Sequence, residues 1–122
     1  MEKKIILDSL KKQFSKSIKD VSVQFGDCII RIEKKSFCDT IRFLREEPFR
    51  FNILLDLTCV DYYGQDERFE MVYHLFSLSN KFRLRLKVRL SEKDLSIESL
   101  TPFWENANWL EREVFDMFGV HF

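Results

Sequence analysis

Glycine and proline are scarce in this chain of 122 residues, with three of the first and two of the second. Glycines at positions 26, 64 and 119 alone leave no Gly-rich loop that could cradle a phosphate. A linker or low-complexity tail is excluded too, because 45% of the residues are hydrophobic and 33% charged, the composition of a folded chain. There is no excess charge: twenty Lys and Arg cancel twenty Asp and Glu, whereas a general nucleic-acid binder carries a basic surplus. Cys28, Cys38 and Cys59 show neither CxxC nor any other tight ligand spacing. They read as small apolar residues of a reducing compartment, not as an Fe–S or zinc site. No run approaches the ~20 apolar residues of a membrane span. The start, Met1-Glu-Lys-Lys-Ile-Ile-Leu-Asp, has only three consecutive apolar residues, so no signal peptide is expected. One domain over 1–122 is expected, cytosolic or held at a membrane by other proteins.

What the chain does have is phenylalanine, thirteen in all. Either the core is compositionally biased or some of these rings face a partner, and composition does not choose between the two. Along residues 3–19, Leu7, Leu10, Phe14 and Ile18 recur at three- and four-residue steps, predicting an amphipathic helix. Val21, Val23 and Phe25 alternate up to Gly26-Asp27, and Cys28, Ile30 and Ile32 resume the alternation, which predicts a hairpin with a two-residue turn. Ser36 and Asp39 resemble a capping box ahead of a helix with Phe37, Ile41 and Leu44 on its stripe; Glu46-Glu47-Pro48 should end it. Residues 51–60 are nearly all apolar, as in a strand covered on both faces. A turn at 61–66 follows, then a strand with Phe69, Met71, Tyr73 and Leu75 on one side and Val72, His74 and Phe76 on the other. An unbroken alternation over 81–90 makes the next strand. Thr101 as N-cap and Pro102 at the first position predict a final helix, broken only near Asn106-Ala107-Asn108 and stopped by Gly119. The expected fold is α+β, with helices packed on a mostly antiparallel sheet of about five strands, in the order α-β-β-α-β-β-β-α.

Few residues carry chemistry. Lys81, Arg83, Arg85, Lys87 and Arg89 line one strand face, as a basic patch for RNA or lipid or, more simply, as a solvated face paired with Glu67 and Glu70. His74 and His121 are isolated, with no second ligand at metal spacing and no nucleophile beside them. Asp61 reads as a strand-end residue bonding nearby backbone donors, while Asp56, inside an apolar strand, must be paired or reach an interface. The stretch 108–119 stands out. At roughly 100° per residue, Leu110, Val114, Met117 and Phe118 share an arc with Phe115 at its edge, and Trp109, Arg112, Glu113 and Asp116 lie opposite. Glu111 falls on the apolar side, where burial alone would not place a carboxylate. Arg112 and Asp116 could be a simple i, i+4 pair, but a Trp and an Arg flanked by acids also compose an interface hot spot.

The run Ala107-Asn-Trp-Leu-Glu-Arg-Glu-Val-Phe-Asp-Met-Phe-Gly-Val-His-Phe122, with Leu55-Asp-Leu-Thr-Cys-Val-Asp-Tyr62, Phe69-Glu-Met-Val-Tyr-His-Leu75 and Ser99-Leu-Thr101 upstream, resembles the family of the C subunit of NADH-quinone oxidoreductase, a respiratory complex I component. Relatives of that family also occur in membrane-bound hydrogenases. The resemblance implies a structural and assembly subunit of the hydrophilic arm, peripheral on the cytoplasmic side of a bacterial inner membrane, supporting electron transfer from NADH to quinone coupled to proton translocation. It implies no catalytic residue, metal or cofactor in this chain; NADH, flavin, Fe–S clusters and quinone would belong to partner subunits. Those partners would be the large quinone-site subunit and the small Fe–S subunit, with no nucleic acid and only indirect membrane contact. Trp109, Glu111, Arg112, Glu113, Asp116 and Gly119 match the family's signature positions and are expected at a subunit interface. Family members continue past the position of Phe122 with a Gly-His-Pro segment and a basic tail, absent from the sequence given. The alternatives are the equivalent module of a [NiFe] hydrogenase complex and an RNA- or lipid-binding module using 81–90.

Overall fold

A computed structural model of the chain describes residues 3–24, 27–46 and 49–122. Its elements are α1 (Lys3–Phe14), β1 (Ile18–Gln24), β2 (Asp27–Ile32), α2 (Phe37–Arg45), β3 (Ile53–Asp61), β4 (Phe69–Ser77), β5 (Phe82–Leu90) and α3 (Ala107–Phe118), with a 3-10 turn over Lys34–Ser36 before α2. The order is the one expected, and so is the α+β class. The sheet runs β1-β2-β5-β4-β3 and is mixed, since β2 and β5 are parallel while the other neighbours are antiparallel. This follows from the connections: the crossover through α2 carries the chain past two strand positions, and the β3-β4-β5 meander returns it to β2. Phe25, Gly26 of the expected Gly26-Asp27 turn, and Glu47-Pro48 of the expected helix stop lie outside the described residues, whereas Asp27 already pairs with Gln24 as the first residue of β2.

The helices lie on one face, where Leu10, Phe37, Ile41, Leu44, Val114 and the inward residues of the strands form a single cluster. Tyr73 packs on Phe37 with ring centroids 4.8 Å apart, and Phe118 meets Phe69 at 6.1 Å. Among the described phenylalanines only Phe115 and Phe122 are exposed. The abundance of this residue therefore serves mostly the core.

Four local expectations are corrected. The first helix ends at Phe14, not near Lys19: the Ser17 N–H bonds the Phe14 carbonyl and Ile18 already pairs with Ile32 in the sheet. Ser36 is no capping box, because its hydroxyl is 2.5 Å from that of Ser17 and makes no cap bond. β3 is an edge strand with Leu55 and Val60 exposed; the strand buried on both faces is β4, whose Val72 and His74 stand opposite Lys87 and Arg85 of β5. Finally, residues 101–106 are turns, with the Phe103 and Trp104 N–H groups both on the Leu100 carbonyl, and α3 starts only at Ala107. Asn106 spends its side chain elsewhere, on the Leu54 carbonyl at 2.9 Å, and Trp104 Nε1 donates to that of Asn52. These two bonds tie the turn to the edge of β3.

Tyr73 is completely buried, and its hydroxyl meets no hydrogen-bond partner among the described residues. Burial, then the nearby charge of Glu111, holds its pKa well above 10.0. Because the folded state favours the protonated phenol, the stability present below about pH 10 declines as pH rises beyond it. Removing an unsatisfied buried hydroxyl is favourable, so Tyr73→Phe should raise stability by about 1 kcal/mol in urea unfolding at neutral pH. It should also flatten the alkaline decline; a loss of stability at neutral pH would show that the hydroxyl has a partner.

Candidate functional site

Glycine 119 closes α3 with φ 78°, donating its N–H to the Phe115 carbonyl at 2.8 Å, a left-handed stop that a residue with a Cβ adopts only with strain. Past it the chain folds back. Val120 is buried, the His121 N–H bonds the Leu95 carbonyl, and the Ile97 N–H bonds the His121 carbonyl. The segment before α3 and the segment after it are thus held side by side, and α3 spans them.

Within α3 the buried residues are Ala107, Glu111 and Val114. Glu111 is 5% exposed. Its Oε2 accepts the buried Leu100 N–H at 2.8 Å and its Oε1 accepts the Ser99 hydroxyl at 2.7 Å. The carboxylate therefore belongs to this domain's own interior, where it clamps the 99–100 segment against the helix. The expected arc is corrected at Met117. Ala107, Glu111 and Val114 are buried, Leu110 and Phe118 are half-buried against the core as expected, and Met117, on the far edge, is 75% exposed. Phe115 is 46% exposed and its ring meets His121 at 5.2 Å.

Trp109, 66% exposed, lies on the outer face with Arg112, Glu113 and Asp116. No ion pair is formed by Arg112, Glu113 or Asp116 among the described residues, so the simple i, i+4 pair is not made. Of the six signature residues, four thus share the outer face, Glu111 points in and Gly119 ends the helix. An open cleft of about 500 Å³ beside the clamp is lined by Ser99, Thr101, Asn108, Arg112, Phe115 and His121, among others. The chemistry this arrangement offers is anchoring. Ser99 spends its hydroxyl on Glu111, and no group of three or more His, Cys, Asp or Glu suited to a metal occurs among the described residues.

A second buried carboxylate was not anticipated as one. Glu70 is fully buried on the helix-free face of the sheet. Arg31 Nε donates to it at 2.7 Å, the Tyr62 hydroxyl at 3.1 Å, and Lys87 Nζ lies 3.8 Å away; the hydrogen bond to Glu70 raises the pKa of Arg31. Asp61 accepts two bonds from Arg68, at 2.6 and 2.7 Å, which lowers its pKa; its partner is a guanidinium, not the backbone. Asp56 sits at a bulge of the edge strand, exposed, with Oδ1 accepting the Leu57 N–H. Cys28 is buried, and burial pushes the Cys38 and Cys59 thiols up to about 11. Cys38 further donates to Glu98, which disfavours a thiolate nucleophile.

Fold and site together define a two-layer α+β domain whose C-terminal helix is pinned by an internal carboxylate and turns a charged, aromatic face outward. The family model described as respiratory-chain NADH dehydrogenase, 30 Kd subunit, matches residues 30–122. The NADH-quinone oxidoreductase C subunit of Citrifermentans bemidjiense is 43% identical over 113 residues, covering 93% of this chain and 70% of that protein. That of Geobacter sulfurreducens is 44% identical over 114 residues, with the same coverage. Among solved structures, "Nqo5 of the trypsin-resistant fragment (1-134) in P63 form" superposes with a TM-score of 0.84 at 28% identity, covering 96% of this chain and 94% of that one. A chain of an archaeal membrane-bound sulfane sulfur reductase shares the fold, with a TM-score of 0.79 at 22% identity over 96% of this chain and 68% of its own. The chain belongs to the respiratory-chain NADH dehydrogenase 30 Kd subunit family. No helix among the described residues is long and apolar enough to cross a membrane.

The clamp makes a direct prediction. Glu111→Ala strands the buried Leu100 N–H and should cost about 1–3 kcal/mol in urea unfolding of the chain. Glu111→Gln keeps an acceptor oxygen and should cost less. A loss under about 0.5 kcal/mol for the alanine variant, the range of inert surface changes, would remove the clamp from the account.

Proposed function

We propose that this chain is a non-catalytic structural and assembly subunit of the hydrophilic arm of an NADH:quinone oxidoreductase. In this reading it lies on the cytoplasmic side of a bacterial inner membrane. The observation that carries it is the outer face of α3. Trp109, Phe115 and Met117 are exposed there beside Arg112, Glu113 and Asp116, in the segment matched by the family model. Large exposed aromatics around an Arg are what a desolvated contact uses, and a solvated helix has no need of them.

The partners in this reading are the large quinone-site subunit and the small subunit that holds the terminal Fe–S cluster. NADH, flavin, clusters and quinone sit in those and other subunits, and this chain holds none of them. Its contribution to electron transfer and to the coupled proton translocation is positional. Redox centres must be held within tight geometric limits, and supporting elements do that through rigid, well-packed contacts. Glu111 serves the same end from inside by fixing the rotation of α3. The module of a membrane-bound hydrogenase is the second reading; the NADH-quinone oxidoreductase relatives at 43% and 44% identity favour the first.

The test is affinity capture from native membranes with Trp109→Ala and Arg112→Ala variants. Recovery of the quinone-site and Fe–S subunits should fall about tenfold, the effect of losing one hot-spot side chain. The unfolding free energy of the purified chain should stay within about 0.5 kcal/mol of the unsubstituted chain, as for exposed positions. Undiminished recovery would refute an interface on this face.

A further inference from the structure

Among the described residues, helices cover one face of the sheet only. On the other, Arg83, Arg85, Lys87 and Arg89 point the same way along β5, each about 7 Å from the next. Part of this row is engaged inside the domain. Lys87 and Arg31 close over Glu70, and Arg89 donates to the Glu67 carbonyl and to Gln65 Oε1 while lying 4.4 Å over the Tyr62 ring. The Glu70 half of the face is therefore partly neutralised, with its cations engaged inside the domain.

The other half differs. Arg83 is exposed and makes no ion pair among the described residues. It stands opposite Phe76, and Arg85 stands opposite His74. A cleft of about 190 Å³ is lined by Leu55, His74, Leu75, Arg83, Leu84 and Arg85. Its lip, Leu55, is 48% exposed. The carboxylate across the ladder from His74 is Asp56, which has Oδ1 on the Leu57 N–H.

We infer that this cleft is a second docking site, which receives an aspartate or glutamate side chain of a neighbouring protein subunit. Charge complementarity sets the occupant. A guanidinium binds a carboxylate through two parallel bonds, and an apolar lip beside it excludes water from the pair. Nucleic acid would need a continuous basic track, and here Arg31, Lys87 and Arg89 are already engaged. A bilayer surface does not enter a cleft of this size. The site is on the opposite side of the sheet from α3. It rests on the assembly reading only in requiring that the chain work alongside other subunits.

The experiment places the photo-crosslinking residue p-benzoylphenylalanine at Leu55, or at Trp109 as reference, in the chain within its native membranes. Crosslinked peptides are then identified by mass spectrometry. The Leu55 position should link to a peptide of another subunit that contains Asp or Glu. Arg83→Glu should lower that yield about tenfold, as expected for reversing one charge of a close pair, and leave the Trp109 link intact. A Leu55 link only to lipid, to a peptide without a carboxylate, or to nothing while Trp109 still links would overturn this inference alone. So would a yield indifferent to Arg83→Glu. Loss of partner links at both positions would overturn the assembly reading itself.

Discussion

A buried carboxylate on a helix fixes most of what is distinctive about this domain. Glu111 gives both oxygens to donors of the 99–100 segment, and a charge taken out of water is tolerated only when such bonds offset its desolvation. The clamp sets the rotation of α3 about its axis. With Glu111 and Val114 inward, Trp109, Arg112, Glu113 and Asp116 have nowhere to go but out. Apolar packing already limits how the helix sits, and two directional hydrogen bonds add a specific anchor at Glu111.

The sheet supplies the other constraint. Because β5 lies between β2 and β4, the most regular alternating strand is central, and its cations fall together on the face without helices. Glu70 gathers Arg31, Lys87 and Tyr62 there, so that a fully buried charge is ringed by partners instead of stranded. The edge strand β3 meets the 104–106 turn at one end through Trp104 and Asn106 and leaves Leu55 and Val60 uncovered. The two faces thus have different characters: a packed helical layer ending in α3, and an open, partly neutralised basic surface.

How much of this was legible in the sequence depended on how local its cause was. The stripes of α2 and β4, the alternation of β5 and the stop at Gly119 are set by neighbours within a turn or two, and they read correctly. Glu111 could be placed on the apolar side by counting, but its partner could not, since Ser99 and Leu100 precede a turn that periodicity mistakes for helix. Met117 was misplaced for the same reason: the clamp shifts the buried arc, and a clamp between distant residues leaves no period. Residues 51–60 looked doubly buried because they are apolar, yet strand order, which no single segment encodes, puts them at an edge. The family could be recognised because the signature run is long, and it carried no information about which of its charges turn inward.

The central claim is that the outer face of α3 is bare in the chain alone and covered in the complex. Hydroxyl-radical footprinting of the purified chain and of the membrane-bound complex tests it residue by residue. Trp109 and Met117 should oxidise rapidly in the chain and at least about tenfold more slowly in the complex, as aromatic and Met side chains do when an interface buries them. Trp104, already buried, should be slow in both. Equal oxidation of Trp109 and Met117 in the two states would contradict the account.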